Sequence, residues 1–385
     1  MSGIRVVELS GLGPAPFGAM VLADLGAEVV RIARPGTGLV VPDPDQPDLG
    51  ASQRNPWDVV NRNRPAIGVD LSSASGVDLV HRLIDSADVL IEGFRPGVAE
   101  RFGLGPEDVM PSRPGLVYGR MTGWGRTGPM ADRAGHDLGY LALSGVLAHL
   151  GRADQPPTPP LNLVADYGGG GMLLAVGVLA ALVERSTSGQ GQVVDAAMVD
   201  GAALLMGSLF GAWSSGYWSA DRGTNLLDSG APFYDCYRCA DDRWISVGAI
   251  ESRFFAALVD TLGLDPSFID AQHDHSRWPE LREALSDSFA ARPRDEWARV
   301  FADVDACVVP VLDMGEAPLH PHAVAREAFV EIDGVHQPAP APRFSRTPSA
   351  PPEPACAADD PVAVLGDWGV PADEVTALVR TGVIG

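Results

Sequence analysis

Two titratable residues stand side by side in the segment RAGHDLGYLALSG, residues 133–145. His136 and Asp137 are surrounded there by glycine, alanine and leucine, which are typical of buried segments. Histidine titrates near neutral pH and suits general acid and base catalysis. Asp137 falls in the first turn of a predicted helix, where a carboxylate also has a purely structural role. We therefore take His136 as a candidate base that apolar surroundings would keep neutral and desolvated.

Two further carboxylates stand at the ends of predicted elements. Asp166 lies in NLVADYGGGG, an apolar stretch entering a helix, and Glu251 lies in VGAIESRF at a strand-to-helix junction. Each has a structural explanation when taken alone, such as N-capping by Asp166. Together with His136 they combine one neutral-range base, two carboxylates and the free N–H groups of helix starts. Such a set suits proton transfer at a carbon acid, with a base on each side and N–H groups holding the developing oxyanion.

Predicted strands and helices alternate along the first part of the chain, and they must position these residues. Apolar runs at 4–10, 87–94 and 115–125 alternate with segments of helical spacing, of which 75–86 begins with a serine. Alternation of this kind predicts an α/β fold, a Rossmann-like large domain with a parallel sheet. The Pro-, Asp- and Gly-rich residues 35–58 are predicted to be a surface insertion.

From residue 136 onward the pattern changes. Long helices are expected over 137–149, 168–186 and 194–214. Residues 232–250 alternate like a β-hairpin with ADD at its turn, and helical patterns and a strand at 306–313 follow, which predicts a smaller α+β domain. The predicted domains are the N-terminal part of the large domain at 1–215, a linker at 216–231, the small domain at 232–325, and a return segment at 326–385 that completes the large domain.

Composition excludes several classes of protein. The formal net charge is −22, which argues against nucleic acid and anionic membranes as partners. Residues 1–135 carry 13 arginines and 16 acidic residues, whereas the remaining 250 carry 15 arginines and 34 acidic residues, so an anionic ligand would prefer the N-terminal part. No run of eighteen apolar residues occurs, and no membrane-spanning helix is expected. All 28 basic residues are arginine, which excludes Schiff-base chemistry through lysine.

Cysteine usage and the chain ends bear on the compartment. Four cysteines in 385 residues favour a reducing environment. The N-terminal segment has no signal-peptide pattern, and RTGVIG at the C-terminus is not a peroxisomal signal. We therefore expect a cytoplasmic protein. CYRC at 236–239 has metal-ligand spacing, but no second cysteine or histidine pair accompanies it, so no metal site is predicted.

Glycine-rich and arginine-rich segments point to ligand contacts. GLGPAP (11–16) follows the first predicted strand like a nucleotide-binding turn, but it lacks the third glycine, and a tight turn and a ligand contact both remain open. GGGG (168–171) favours close packing or close approach of a ligand. GFRPG (93–97) ends a strand, where a doubly wound sheet binds ligands, and guanidinium groups suit phosphates. Arginines stand at strand ends or helix starts at Arg31, Arg34, Arg62, Arg64, Arg95 and Arg101.

A succession of long motifs carries a family resemblance. They include VVELSGLGPAPFGAMVLADLGAEVVRI, DVLIEGFRPGVAERFGLG, YGRMTGWGRTGP, GHDLGYLALSG and NLVADYGGGGM. Over essentially its whole length the chain resembles the class III CoA-transferase superfamily, most closely its α-methylacyl-CoA racemase branch. The resemblance implies a large Rossmann-like domain, a small domain, and an interlocked homodimer that binds an acyl-CoA substrate between subunits. It implies no metal and no cofactor, because CoA is part of the substrate.

The same resemblance implies roles for individual residues. His136 and Asp166 match the two bases on opposite faces of the substrate Cα. Glu251 matches a small-domain glutamate that orients the histidine from the other subunit, and the backbone N–H of Asp137 matches the group that holds the thioester oxygen. The implied contacts to CoA and acyl chain are Arg34, Arg95, Arg101, Met121, Gly125 and Tyr234.

Three functions stay open on these residues. The first is racemisation of 2-methylacyl-CoA thioesters at C2 through an enolate. The second is CoA transfer between carboxylic acids, in which Asp166 would be the nucleophile. That chemistry needs neither His136 nor Glu251, so their presence favours racemisation. The third is binding of CoA esters without catalysis, which the intact set of three residues disfavours.

Overall fold

Short apolar runs form the central strands of the protein, for which a computed structural model describes residues 1–35, 55–358 and 360–385. The predicted insertion at 35–58 falls mostly on residues 36–54, which lie outside the described part. The strands are β1 Arg5–Leu9, β2 Glu28–Ala33, β3 Pro65–Gly68, β4 Val89–Glu92, β5 Val117–Thr122, β6 Val193–Ala197, β7 Tyr234–Arg238, β8 Trp244–Gly248, β9 Val308–Pro310, β10 Phe329–Ile332, β11 Val335–Pro338 and β12 Cys356–Ala357.

Helices occupy most of the connections between strands. The α-helices are α1 Pro14–Asp24, α2 Ala74–Asp85, α3 Val98–Arg101, α4 Pro106–Val109, α5 Asp137–Leu143, α6 Leu173–Ser188, α7 Met198–Leu205, α8 Gly207–Ser214, α9 Ser252–Leu262, α10 Ser267–Asp270, α11 Trp278–Ala290, α12 Arg294–Val300, α13 Pro321–Ala325, α14 Pro361–Asp367 and α15 Ala372–Arg380. A π-helix, Leu163–Met172, leads directly into α6.

The chain divides into two units. The first comprises residues 1–144, 161–205 and 322–385, and the second comprises residues 145–160 and 206–321. Residues 145–160 and 206–215 thus belong to the second unit, whereas the sequence analysis assigns them to the large domain. The C-terminal segment belongs to the first unit.

A seven-stranded parallel sheet organises the first unit, in the order β12-β3-β2-β1-β4-β5-β6. This confirms the predicted α/β fold. The central strands are buried on both faces, as parallel strands between helical layers must be. On one face α2, α14 and α15 cover the core. Helix α2 begins where the Ser73 hydroxyl accepts the Gly76 N–H at 3.0 Å, and it buries Leu79, Val80 and Leu83 at helical spacing.

The opposite face of the sheet carries the helix Leu163–Ser188. By length and composition this helix could cross a membrane, with a mean hydropathy of 1.6 over its most apolar window, although none is expected from the sequence. Its side chains Leu174 and Val178 would meet a Cβ placed on Gly119 of β5 at 3.1 and 3.3 Å. One side of the helix therefore packs on the sheet, and 39% of that apolar window is buried.

The second unit contains an antiparallel sheet in the order β7-β8-β9 with helices α9 to α12. The hairpin predicted over 232–250 is confirmed, with Tyr234 opposite Gly248 and Arg238 opposite Trp244. The apolar side chains of these strands and of α9, α11 and α12 form one core around Phe255, Leu258 and Phe289.

Two of the predicted long helices are wrong in extent. The helix expected over 137–149 ends at Leu143, because Gly145 has φ +85, a left-handed conformation that favours glycine. The segment 194–214 begins with β6 instead, since β-branched residues there pair with β5 at the edge of the sheet. It continues as two short helices, α7 and α8.

Candidate active site

His136 is the N-cap residue of α5. It has extended backbone geometry, and its carbonyl accepts the Gly139 N–H at 2.8 Å. The preceding Gly135 has no space for a side chain, because a Cβ there would lie 2.7 Å from the ring of Tyr140 and 2.9 Å from that of Trp124. These two aromatic rings pack edge to face at 4.7 Å and support the turn that presents the histidine.

The expectation that apolar residues bury His136 is wrong for the single chain, in which the imidazole is exposed. Helix α5 turns only one side to the core, burying Asp137, Tyr140 and Leu141 at spacings of three and four residues. His136 and Leu138 point the other way, and Leu138 is 46% exposed. Some of the apolar residues around His136 thus lie on the exposed face of α5.

Asp137 is the buried member of the pair, with 5% exposure. One oxygen of its carboxylate, Oδ2, accepts the backbone N–H groups of Ala165 and Asp166, each at 2.8 Å. These groups lie in the first turn of the π-helix, where no intrahelical acceptor is available. The other oxygen, Oδ1, is buried without a partner among the described residues. Asp137 therefore caps the helix that carries Asp166, and not its own.

Asp166 is half-buried beside Asp137. Burial, and after it the negative charge of Asp137, raise the pKa of Asp166 above its ordinary value, while a hydrogen bond from Asn162 and the charge of His136 oppose the shift. The GLGPAP turn approaches the same carboxylate, since a Cβ on Gly13 would lie 3.7 Å from its Oδ2. Asp137, Asp166 and His136 thus form one electrostatically coupled group.

The four glycines after Asp166 allow helices to pack closely. A Cβ on Gly169 would lie 2.6 Å from the Ala202 nitrogen in α7, and one on Gly171 would lie 2.6 Å from the Pro14 carbonyl oxygen in α1. Of the two roles that the sequence leaves open, close packing is the one observed. This packing fixes the π-helix, and with it Asp166, between α1 and α7.

A cavity of about 210 Å³ opens in front of His136. Met121 at the end of β5 and Arg95 in the β4–α3 loop line it, and the ligand contacts implied for them stay predictions. Gly125 lies just beyond, in a turn with φ +84, where its N–H donates to the Thr122 hydroxyl at 3.1 Å. The structure brings these residues to the carboxyl ends of neighbouring strands, which is the ligand side of a parallel sheet.

Buried ion pairs hold the loop that contributes Arg95. The carboxylate of Glu92 accepts the Phe94 N–H at 2.7 Å and the Arg120 Nε–H at 2.8 Å. Arg120 also donates to Glu100, which pairs with Arg126. Burial raises the pKa of Glu92, and these donors oppose the shift. The network anchors both ends of the turn 93–97.

The six arginines singled out by position divide into two groups. Those that are buried are Arg31, Arg62 and Arg64, and those that are exposed are Arg34, Arg95 and Arg101. Arg62 pairs with Asp24 at 2.5 Å, and Arg64 pairs with Glu8 inside the sheet layer. The buried Arg62 and Arg64 therefore have structural partners, and of the exposed group Arg95 lines the cavity of His136.

Glu251 and Tyr234 belong to the second unit. Glu251 is exposed and is the N-cap of α9, where its carbonyl accepts the N–H groups of Phe254 and Phe255. Tyr234 begins β7 and is 36% exposed. The roles implied for them by resemblance stay predictions.

Comparison with known proteins places the chain in a family. A family model described as CoA-transferase family III matches residues 1–360. The chain belongs to CoA-transferase family III. Alpha-methylacyl-CoA racemase of Mus musculus is 43% identical over 98% of this chain and 96% of that protein. Succinyl-CoA–D-citramalate CoA-transferase of Chloroflexus aurantiacus is 32% identical over 88% of this chain and 84% of that protein.

The fold has a counterpart among solved structures. A CAIB/BAIF family protein from Brucella suis matches with a TM-score of 0.77, covering 95% of this chain and 98% of that one at 24% identity. At this level of identity the likeness concerns the fold. CoA-transferase family III thus accounts for the parallel sheet and for the motifs read along the chain.

Some residues that line the cavity of His136 were not singled out as site residues from the sequence, among them Trp124, Arg133 and Tyr140. Burial and the charges of Asp166 and Asp137 raise the pKa of Tyr140 to about 12, so its hydroxyl stays protonated at neutral pH. Tyr140 stands four residues after His136, so a helical spacing count could have placed it near the histidine. No comparable signal marks Trp124.

Proposed function

We propose that the protein racemises 2-methylacyl-CoA thioesters at C2 by proton transfer through an enolate. The position of Asp166 carries this proposal, because it lies half-buried directly beside Asp137 and close enough to His136 for their charges to interact. A carboxyl group whose pKa is raised holds a proton more readily than an ordinary one and can deliver it to carbon. The 43% identity to a named racemase supports the same assignment.

In the proposed reaction His136 accepts the proton from C2 of one enantiomer, and protonated Asp166 donates a proton to the opposite face. The enzyme then holds imidazolium and carboxylate, and exchange with solvent restores the starting state. In the reverse direction the two residues exchange roles. Asp137 is buried and its Oδ2 accepts two backbone N–H groups, so we assign it a capping role and not that of a base.

The enolate oxygen needs donors that are already in place. The Asp137 N–H is the first of α5, where no intrahelical acceptor exists, and it is suited to hold this oxygen.

We propose that the reaction uses no metal and no redox cofactor, because CoA is part of the substrate. We also propose a cytoplasmic location, following the cysteine usage of the chain.

The test is incubation of the purified protein with (2R)-2-methylacyl-CoA in D₂O. We expect deuterium at C2 together with loss of stereochemical purity, both reduced about 10²- to 10⁴-fold in His136→Ala and Asp166→Asn. Arg380→Gln, an exposed change at the end of α15, is the matched control. An absence of exchange in the wild type contradicts the proposal.

We further propose a homodimer in which Glu251 of one chain orients His136 of the other. Co-expression of His136→Ala with Glu251→Ala tests this, because a mixed dimer of that kind holds one intact pair. Activity well above that of either parent is expected. If each variant alone and the mixture are equally inactive, the two residues do not act across subunits.

CoA transfer is the second candidate, favoured by the family model and by the 32% identical CoA-transferase. Asp166 would then attack the thioester carbonyl, releasing CoA as a thiolate and forming an acyl–aspartyl anhydride. The discriminating measurement is transfer of CoA to an added free acid. Transfer that survives His136→Ala, with no exchange at C2, would establish this function over racemisation.

A further inference from the structure

The cavity of His136 is cationic although the protein is strongly acidic. Arg95 and Arg133 line it together with the histidine, and no aspartate or glutamate lines it among the residues that the structure describes. The chain as a whole has a formal net charge of −22. A positive concavity on an acidic protein attracts an anionic group of a ligand.

Neighbouring carboxylates do not neutralise these two arginines. Glu92 is engaged by the Phe94 N–H and by Arg120, and Glu100 pairs with Arg120 and Arg126. The guanidinium groups of Arg95 and Arg133 are exposed. Within residues 1–35, 55–358 and 360–385, neither makes a side-chain hydrogen bond or an ion pair, so both keep their donors for a ligand.

A third donor points to the same kind of ligand. The side chain of Trp124 also lines the cavity, and its indole nitrogen Nε1 is buried with no hydrogen-bond partner in the described part of the chain. A Cβ on Gly135 would lie 2.9 Å from this nitrogen, which places it beside the backbone that precedes His136. A buried donor without an acceptor is costly unless a ligand supplies one.

We propose that Arg133, together with Arg95, binds an anionic group of the ligand beside His136. This deepens the proposed function, on which it rests for the identity of the ligand as a CoA thioester. The anion is a carboxylate on the far end of the acyl chain, which a guanidinium fork fits. A phosphate of CoA is separated from C2 by the whole pantetheine arm, whereas both arginines line the same cavity of about 210 Å³ as His136.

The experiment compares dissociation constants, which do not depend on turnover. The ligands are the CoA thioester of 2-methylpentanoic acid, the corresponding monothioester of 2-methylglutaric acid, and both acyl groups on pantetheine. The variants are Arg133→Leu and Arg133→Lys. The control is Arg380→Leu, which removes an equal charge from α15, a helix that does not line the cavity. Binding is measured by calorimetry and folding by thermal unfolding.

A carboxylate subsite predicts that Arg133→Leu weakens binding of both 2-methylglutaryl ligands about tenfold and leaves the 2-methylpentanoyl ligands unchanged. Arg133→Lys should retain part of the affinity for the 2-methylglutaryl ligands. An equal loss for both CoA thioesters with none for the pantetheine thioesters would instead indicate a contact with a CoA phosphate and would overturn the proposal. If Arg133→Leu folds normally and binds all four ligands within twofold of the wild type, the proposal is overturned.

The inference and the proposed function fail in different ways. Deuterium exchange at C2, measured on the 2-methylpentanoyl thioester, reports racemisation without any anionic acyl group. Loss of exchange with intact, Arg133-dependent binding would reject racemisation and keep the anion subsite. Normal deuterium exchange, together with binding that does not change when Arg133 is replaced, would support racemisation and reject the anion subsite.

Discussion

Asp137→Asn removes a negative charge next to Asp166 while the hydrogen bonds between the two segments can stay. Oδ2 of Asp137 accepts both N–H groups of the π-helix at 2.8 Å, and Oδ1 has no partner among the described residues. An asparagine can therefore keep its oxygen at the Oδ2 position and place its NH₂ group where Oδ1 was. The substitution thus separates the charge of Asp137 from its capping role.

The expected change in catalysis follows from the sign of the interaction. The Asp137 charge raises the pKa of Asp166, so its removal lowers that pKa toward the ordinary value. The acid limb of the profile of kcat/KM against pH should move to lower pH. It should move equally for both enantiomers, because the equilibrium between them does not depend on the enzyme. The measurement is the initial rate of exchange at C2 across the pH range.

The expected change in stability separates two variants. A hydrogen bond to a charged acceptor contributes about 1.5–3 kcal/mol and a neutral one about 1 kcal/mol. Asp137→Ala loses both bonds and should cost about 3–6 kcal/mol, whereas Asp137→Asn weakens both and should cost roughly 1–4 kcal/mol and less than Asp137→Ala. Urea unfolding measures both values. An unmoved acid limb in Asp137→Asn, or equal stability of Asp137→Ala and the wild type, would refute the reasoning.

Three further substitutions test other parts of the structure. Glu8→Gln leaves the buried Arg64 without its counter-charge and should lower the free energy of unfolding by about 3–5 kcal/mol, measured by urea unfolding. Gly135→Ala places a Cβ 2.9 Å from the ring of Trp124 and should cost about 1–3 kcal/mol and reduce exchange, while unchanged activity would contradict the packing. The raised pKa of Asp166 means that the folded state binds its proton more tightly, so stability falls as pH rises from 3.8 through the folded pKa. Asp166→Asn cannot ionise, and its stability relative to the wild type should be higher at pH 7 than at pH 3.

Local patterns predicted much of the fold. The alternation of apolar runs and helical spacing indicated the parallel sheet, and the alternation over 232–250 indicated the β7–β8 hairpin. These patterns are informative because side chains return to the same face every two residues in a strand and every 3.6 residues in a helix. The buried face can therefore be recognised from the spacing of apolar residues. Two helices were predicted with the wrong extent. The first ends early because Gly145 is left-handed, and the second begins late because residues from 194 pair with the distant strand β5.

Burial and partners were less accessible from the sequence. The letters around His136 are apolar, yet the helix turns the histidine outward and Asp137 inward. Among the arginines, Arg64 and Arg95 both stand near strand ends, but Arg64 is buried with Glu8 while Arg95 lines the cavity. A charge is structural or functional according to its partners, and those partners are distant along the chain.

The sequence by itself determined the family, the parallel sheet and the residue types of the candidate site, because long motifs and short-range periodicity can be recognised in the amino-acid sequence alone. Tertiary structure alone decided that Asp137 caps the helix of Asp166, which lies 29 positions further along. It also decided that Arg133, three residues before His136, stands in one cavity with Arg95. Both follow from the packing of α5 and its flanking turns against the π-helix and the ends of β4 and β5, and a contact between distant segments leaves no periodic trace in the order of residues.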